Sequence, residues 1–225
     1  MFVGLLILSG TIWSRLNEAA RSAIYSLTET LTISCALMIY MFRMGFEGPW
    51  SPLSVIMSNP AASPVYGHRL LFVLIAKAFQ EIVPNLSDLR SFYLSQFVAT
   101  LLAVYVLGRW SALHVGKAFS WLGQILGVLM ISTCFGYFNF YDINTVFFTT
   151  CALLTIYTRR YWWMVPVVVI GTLNYEDVLL LIPAAAAMAY KKDSPKKWIP
   201  GVATSLAAYC AVRFVLQAAI PLSRQ

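Results

Sequence analysis

Long apolar runs, separated by short segments that carry charge, Pro or Gly, constrain this 225-residue sequence more than any other feature. A helix needs about 20 mostly apolar residues to cross a bilayer. Four runs of this kind are clear: Ser22–Met44, Ser91–Gly108, Ala118–Phe138 and Trp198–Pro221. The composition is 60% hydrophobic and 11% charged, so there are too few charged residues to cover the surface of a soluble protein. We therefore predict an all-α, polytopic transmembrane helix bundle, with residues 1–225 as a single transmembrane domain.

Two further stretches bring the expected number of membrane segments to about six. Ile143–Thr158 forms a short fifth segment, whereas Tyr161–Tyr190 is interrupted by Asn174-Tyr175-Glu176-Asp177. A straight helix there would bury two acids near the bilayer centre, which is costly. We expect two half-helices that meet at the break, with one tilted helix as the alternative. Met1–Trp13 is either an interfacial helix or part of a longer span.

Positive charge predicts the orientation, because Lys and Arg concentrate in cytoplasmic loops. Arg109, Lys117, Arg159 and Arg160 follow predicted spans, and four lysines lie within 191–197. Placing them all inside requires both ends of Tyr161–Tyr190 at the inner face and puts the loops 45–68 and 139–142 outside. The net charge of +7 is thereby explained by orientation in a lipid bilayer, and we expect no nucleic-acid partner. The expected location is a bacterial inner (plasma) membrane, with multiple passes.

The segment Arg69–Pro84 is too polar for an ordinary span, because Lys77, Gln80 and Glu81 interrupt it. Its apolar residues recur at helical spacing, which is typical of an amphipathic helix. The predicted apolar face consists of Leu70, Leu71, Leu74, Ile75, Ala78 and Ile82. We expect this helix to lie on the outer face of the membrane.

The remaining ionisable residues are few, and a polar group at membrane depth marks a candidate functional site. On the outer side these candidates are Glu47, His68, Arg69, Asp142, Glu176 and Asp177. Glu47 suits a general base or a divalent-metal ligand, with a solvated loop acid as the alternative. Asp142 suits a metal ligand or a cap for the helix beginning at Ile143. Arg69 suits a bidentate phosphate contact, or an anchor at the membrane interface.

Three short motifs occur in a recognisable order: Gly67-His68-Arg69-Leu70-Leu71, then Tyr141-Asp142-Ile143-Asn144-Thr145, then Gly171-Thr172-Leu173-Asn174-Tyr175-Glu176-Asp177. The tight basic turn Arg159-Arg160-Tyr161-Trp162 separates the last two. This layout resembles the N-terminal membrane half of the glycosyltransferase C superfamily, and the aminoarabinose and protein mannosyl transferases are similar in layout. Members of this superfamily move a sugar from a polyprenyl-phosphate donor.

The resemblance implies a membrane glycosyltransferase that acts on the extracytoplasmic face. It assigns Glu47 and Asp142 as catalytic acids, with Asp142 also a metal ligand, and Arg69 with His68 as donor-binding residues. Glu176 and Asp177 are further candidate substrate-binding residues. The cofactor is unknown, with a divalent metal such as Mg or Mn as the candidate. The first-loop acid is commonly Asp in the family, and its relatives often carry a basic residue near the break.

Two other classes of protein stay open. One is a noncatalytic integral membrane subunit, whose partners would be other membrane proteins. The other is a small transporter, in which the broken helix at 174–177 would bind substrate near the bilayer midplane.

Overall fold

In a computed structural model, the described residues are 17–43, 70–134, 142–175, 177–190 and 192–219, and within them the chain is helical with no strand. Met1–Trp13 and the loop 45–68 lie outside these ranges. The α-helices are α1 (Glu18–Arg43), α2 (Leu71–Ile82), α3 (Asp88–Val115), α4 (Ser120–Cys134), α5 (Asp142–Tyr157), α6 (Met164–Thr172), α7 (Val178–Tyr190) and α8 (Pro195–Ala219). Short 3₁₀ turns, Lys117–Phe119 and Tyr161–Trp163, precede α4 and α6.

Three of the described segments are long and apolar enough to cross a membrane: Glu18–Ile39, Arg90–Val115 and Pro195–Ala219. Shorter apolar helices cover Ile143–Tyr157, Tyr161–Thr172 and Val178–Tyr190. The chain is thus all-helical in its described part, and its long apolar helices indicate an integral membrane protein in a lipid bilayer.

Helix α3 is the centre of the N-terminal part of the bundle, since α1, α2, α4 and α5 all pack against it. The prediction that this span stops at Gly108 is wrong, because the helix continues to Val115. Gly108 instead allows a close approach of α4: a Cβ atom there would lie 2.3 Å from Nε2 of Gln124. Small residues at helix interfaces allow such approaches in membrane proteins.

Helix α4 contributes two glycines to the same interface. Gly123 lies against Ser111 of α3, and Gly127 lies against Leu107, so the pair forms a small-xxx-small face towards α3. The turn between the two helices is made at Gly116, which has a φ of 82°. A positive φ of this size favours glycine because it has no Cβ atom.

Helix α2 forms where the amphipathic helix is predicted. Phe72, Val73 and Ala76 are buried, whereas Leu74 is 51% exposed and Ile82 is 73% exposed. The ring of Phe72 packs edge-on against Phe92 of α3, with 5.8 Å between centroids. Lipid tails are as apolar as leucine, so an apolar face does not reveal which residues meet protein. The contact with α3 is therefore made by residues outside the predicted apolar face.

Helices α6 and α7 are separate, with residues 173–177 between them, and α8 packs against both. The ends of the α6–α7 pair that lie away from residues 173–177 are joined. The hydroxyl of Tyr161 donates to Asp193 Oδ2 at 2.7 Å, and Arg159 Nη1 lies 3.3 Å from Asp193 Oδ1. Tyr161 lies outside the three long apolar segments. Its burial and its hydrogen bond to Asp193 raise the pKa of Tyr161 to about 12. The residues before α6 and after α7 therefore lie side by side.

Candidate functional site

A buried amide pair links the first turn of α5 to the α6–α7 connection. Asn144 Nδ2 donates to Asn174 Oδ1 at 3.1 Å, and Asn174 Nδ2 lies 3.4 Å from Thr145 Oγ1. Asn144 is 4% exposed and Asn174 is 1% exposed, so water does not compete strongly for these bonds. The polar break after α6 is thus held against α5 by uncharged side chains.

The start of α2 reaches the same point. The backbone N–H of Leu71, the first residue of α2, donates to the carbonyl of Leu173 at 3.0 Å. Helix α5 begins at Asp142 and helix α7 begins at Val178, immediately after the break. Three helix N-termini therefore meet around residues 173–177, which we call the N-terminal junction. Helix N-termini carry partial positive charge and unsatisfied N–H groups, and both attract anions.

Gln96 of α3 faces the space beside this junction. Residues three, four or seven positions away on a helix share its face, and four of them contact or cluster with other elements. Phe92 meets Phe72 of α2, and Thr100 Oγ1 lies 3.8 Å from Met38 Sδ of α1. Ala99 and Ala103 belong to one buried cluster with Ile143 of α5. The side chain at position 96 therefore points to the place where α1, α2 and α5 meet.

The amide of Gln96 is unusual because it has no hydrogen-bond partner among the described residues. Gln96 is 2% exposed, and both Nε2 and Oε1 are buried. Leaving such atoms unpaired costs about 1–3 kcal/mol each. Most buried polar groups are paired, and one that is not calls for an explanation such as a ligand.

The depth of the junction follows from its position along α3. Ile143, next to Asn144, shares a cluster with Ala99 and Ala103. Helix α3 runs from Asp88 to Val115, so this level is about 17–23 Å from its start and about 18–24 Å from its end at 1.5 Å per residue. The junction therefore lies near the middle of a helix long enough to cross the membrane.

The residues predicted for the site are placed only in part by the structure. Glu47, His68, Arg69 and Glu176 lie outside the described residues. Asp142 is the first residue of α5, and its side chain does not belong to the described part of the chain. Asp177 is exposed and directly precedes α7.

The described neighbours of these residues do lie together. Leu71 is two residues after Arg69, and it bonds to Leu173. Asn144 is two residues after Asp142, and it bonds to Asn174. The chain therefore brings three of the predicted polar segments to the N-terminal junction.

Sequence reasoning missed the role of the amides. Asn144 and Asn174 appear in the quoted motifs without a role, and Gln96 was passed over inside an apolar span. The available signal was the amide of Gln96 within an otherwise apolar run, because an amide at membrane depth needs a hydrogen-bond partner or a ligand.

A second buried polar group lies between α1 and α4. Gln124 Nε2 donates to Thr30 Oγ1 at 3.1 Å. Gln124 Oε1, Ser34 Oγ and Glu29 Oε1 are buried without a partner in the described ranges. Glu29 is the only acid in Ser22–Met44, which is a signal that the sequence interpretation also overlooked.

In the described part of the chain, no group of three or more His, Cys, Asp or Glu residues is placed to hold a metal ion. Comparisons with protein-family models, with curated proteins and with solved structures found no match to this chain. The N-terminal junction and its amides are therefore the basis for a functional assignment, together with the layout of the motifs.

Proposed function

We propose that this chain is a membrane glycosyltransferase-like protein that transfers a sugar from a polyprenyl-phosphate donor on the extracytoplasmic face. The observation that carries the proposal is the N-terminal junction, where α2, α5 and α7 begin around the Asn144–Asn174 pair. The positive ends of these helices suit the phosphate of the donor. Amides and hydroxyls nearby suit a neutral sugar, since both groups donate and accept hydrogen bonds.

The position of the junction among membrane helices suits a lipid-linked substrate. A polyprenyl chain lies in the bilayer, so it can stay beside these helices while its headgroup is bound. The proposed topology has about six membrane segments, with α6 and α7 as two half-helices that enter and leave by the inner face. The contacts of Asp193 with Arg159 and Tyr161 support this arrangement, because they place both ends of the hairpin together.

The proposed residue roles follow the motif layout. Glu47 removes the proton from the acceptor hydroxyl, and Arg69 stabilises the phosphate as it leaves the sugar. Asp142, at the N-terminus of α5, holds the acceptor or a divalent metal. Two of these roles are supported by the helix starts at the junction, since Asp142 is the first residue of α5 and Leu71, the first residue of α2, comes two positions after Arg69 in the sequence.

Transfer activity in proteoliposomes tests the proposal. The full-length chain is reconstituted with a panel of radiolabelled polyprenyl-phosphate sugars, and loss of label from the lipid is followed over time. Glu47→Gln and Arg69→Ala should each abolish most of the transfer. Glu81→Gln and Lys77→Ala are matched controls, because both residues lie on the exposed side of α2. Full activity in both Glu47→Gln and Arg69→Ala would contradict the assignment.

A transporter is the second candidate, favoured by one specific observation. The tip of the α6–α7 hairpin lies near the middle of α3, which resembles the midplane sites that broken helices form in transporters. The same proteoliposomes distinguish the two functions. Movement of an intact substrate across the membrane indicates transport, whereas loss of label from the donor lipid indicates transfer. Donor binding with neither outcome would indicate a noncatalytic subunit.

A further inference from the structure

We infer that the Gln96 side chain is a binding group for hydroxyls of the substrate sugar, in a subsite bounded by α1, α2 and α5. This inference rests on the proposed function, because it assigns a residue that would recognise the sugar of the donor in that site. It assigns a residue on α3, whereas the motif layout places the candidate residues in the loops and at the starts of α2, α5 and α7.

The position of Gln96 is fixed by contacts on three sides. Phe92 meets α2, Thr100 meets α1, and Ala99 and Ala103 share a cluster with Ile143 of α5. These residues surround position 96 on the helix face, so its side chain cannot turn towards lipid. It lies 2% exposed between the start of α2 and the first turn of α5, which both contribute to the N-terminal junction.

The absence of a partner for Gln96 contrasts with the amides around it. Asn144 and Asn174 pair with each other, and Nε2 of Gln124 pairs with Thr30. In Gln96 neither Nε2 nor Oε1 has a partner in the described part of the chain. Each of the other three amides has at least one paired polar atom, whereas Gln96 has none, which is consistent with an amide kept for a ligand.

The chemistry of an amide selects the kind of ligand. Nε2 offers two donors and Oε1 accepts, so the group matches two adjacent hydroxyls, one accepting and one donating. A phosphate oxygen only accepts, and it would leave Oε1 unpaired. Gln96 therefore suits the sugar, while the helix N-termini suit the phosphate.

The test uses Gln96→Met, which keeps the side chain unbranched and similar in size. The full-length protein in lipid nanodiscs is titrated with polyprenyl phosphate and with its glucose, mannose and aminoarabinose conjugates. The wild type should prefer one sugar-bearing lipid over bare polyprenyl phosphate, and Gln96→Met should reduce that preference about tenfold or more. Binding of bare polyprenyl phosphate should stay unchanged.

Thermal unfolding without ligand provides a readout that a structural glutamine would not give. Gln96→Met removes two unpaired buried polar atoms, so its unfolding midpoint should rise by several degrees. Gln124→Met is the matched control, because it removes a buried glutamine that is bonded to Thr30. Because Nε2 of Gln124 is bonded and only its Oε1 is unpaired, Gln124→Met should raise the midpoint less than Gln96→Met does, and it should leave the sugar preference intact.

Phosphate-free hexyl glycosides separate the failure of this inference from the failure of the proposed function. If the wild type binds no polyprenyl-phosphate lipid but binds a hexyl glycoside through Gln96, the proposed function fails and the sugar subsite stands. If Gln96→Met binds every sugar probe as well as the wild type, or lowers the unfolding midpoint, the inference is overturned. It is also overturned if the wild type binds none of the glycosides and shows no preference among the lipids.

Discussion

Replacing Asn174 with alanine should release the α6–α7 connection from α5 and lower the stability of the protein by about 1–3 kcal/mol. The substitution removes the acceptor of the 3.1 Å bond from Asn144 Nδ2 and the group that lies 3.4 Å from Thr145 Oγ1. Asn144 is only 4% exposed, so water cannot fully replace the lost acceptor. The low end of the range is appropriate if the partners relax, because side-chain hydrogen bonds between membrane helices average about 0.6 kcal/mol.

The expected loss can be measured as a shift of the unfolding midpoint. For a chain of 225 residues, 1 kcal/mol corresponds to about 2–4 °C, so Asn174→Ala should unfold about 2–12 °C below the wild type. Intrinsic tryptophan fluorescence of the protein in nanodiscs can follow the transition. Gln217→Ala is a suitable control, because Gln217 is an exposed amide in α8.

A double-mutant cycle with Asn144→Ala isolates the pair. Once Asn174 is gone, Asn144 has already lost this bond, so replacing Asn144 as well should make the double variant little less stable than Asn174→Ala alone. The reasoning is refuted if the effects of the two single substitutions simply add. It is refuted equally if Asn174→Ala unfolds at the wild-type midpoint, since the pair would then contribute nothing to holding the hairpin.

Three further experiments probe the packing and orientation of the hairpin. Gly201→Ala should lower the stability of the protein by about 1–3 kcal/mol, because the new Cβ atom would lie 2.9 Å from the backbone of Tyr161. Alanine usually stabilises a helix relative to glycine, so a rise in the thermal unfolding midpoint would contradict this packing. Tyr161→Phe should cost about 1.5–3 kcal/mol through the lost bond to Asp193. Because the pKa of Tyr161 rises from 10.0 to about 12, its contribution is complete below pH 10 and disappears towards pH 12, so the difference between wild type and Tyr161→Phe should vanish over that window. Cysteines at Arg160 and Lys196 should react with an impermeant maleimide from one and the same side of oriented vesicles; labelling from opposite sides would exclude the re-entrant hairpin.

The sequence predicted the class of fold and the positions of most helices, because apolar length and helix-breaking residues act locally. It did not predict which residues of an apolar helix contact protein and which contact lipid. Gly108 was taken as a helix end, although it provides a close contact with Gln124 inside a continuous helix. In α2 the predicted apolar face includes the exposed Leu74 and Ile82, and the contact of Phe72 with α3 is not predicted by the leucine pattern. Hydrophobicity cannot separate contact with lipid from contact with protein, so both features needed the tertiary structure.

The candidate site was predictable in its segments and not in its amides. Charged residues stand out in an apolar sequence, and they drew attention to the segments around Arg69, Asp142 and Asp177. Whether a buried glutamine is paired depends on the helices that surround it, and no local pattern distinguishes Gln96 from Gln124. The structure separates them, since only Gln124 has a partner in the described residues.

The neutral character of the Asn144–Asn174 pair is itself relevant to binding an anion. An ion pair at this depth would carry a large desolvation cost, and its acidic member would oppose an incoming phosphate. Two amides hold α5 and the hairpin together at a smaller cost and add no net charge. Asp142 and Asp177 already stand at the starts of α5 and α7, so an uncharged pair avoids adding a further negative charge beside the ligand. An uncharged amide pair is therefore compatible with an anionic substrate at the same site.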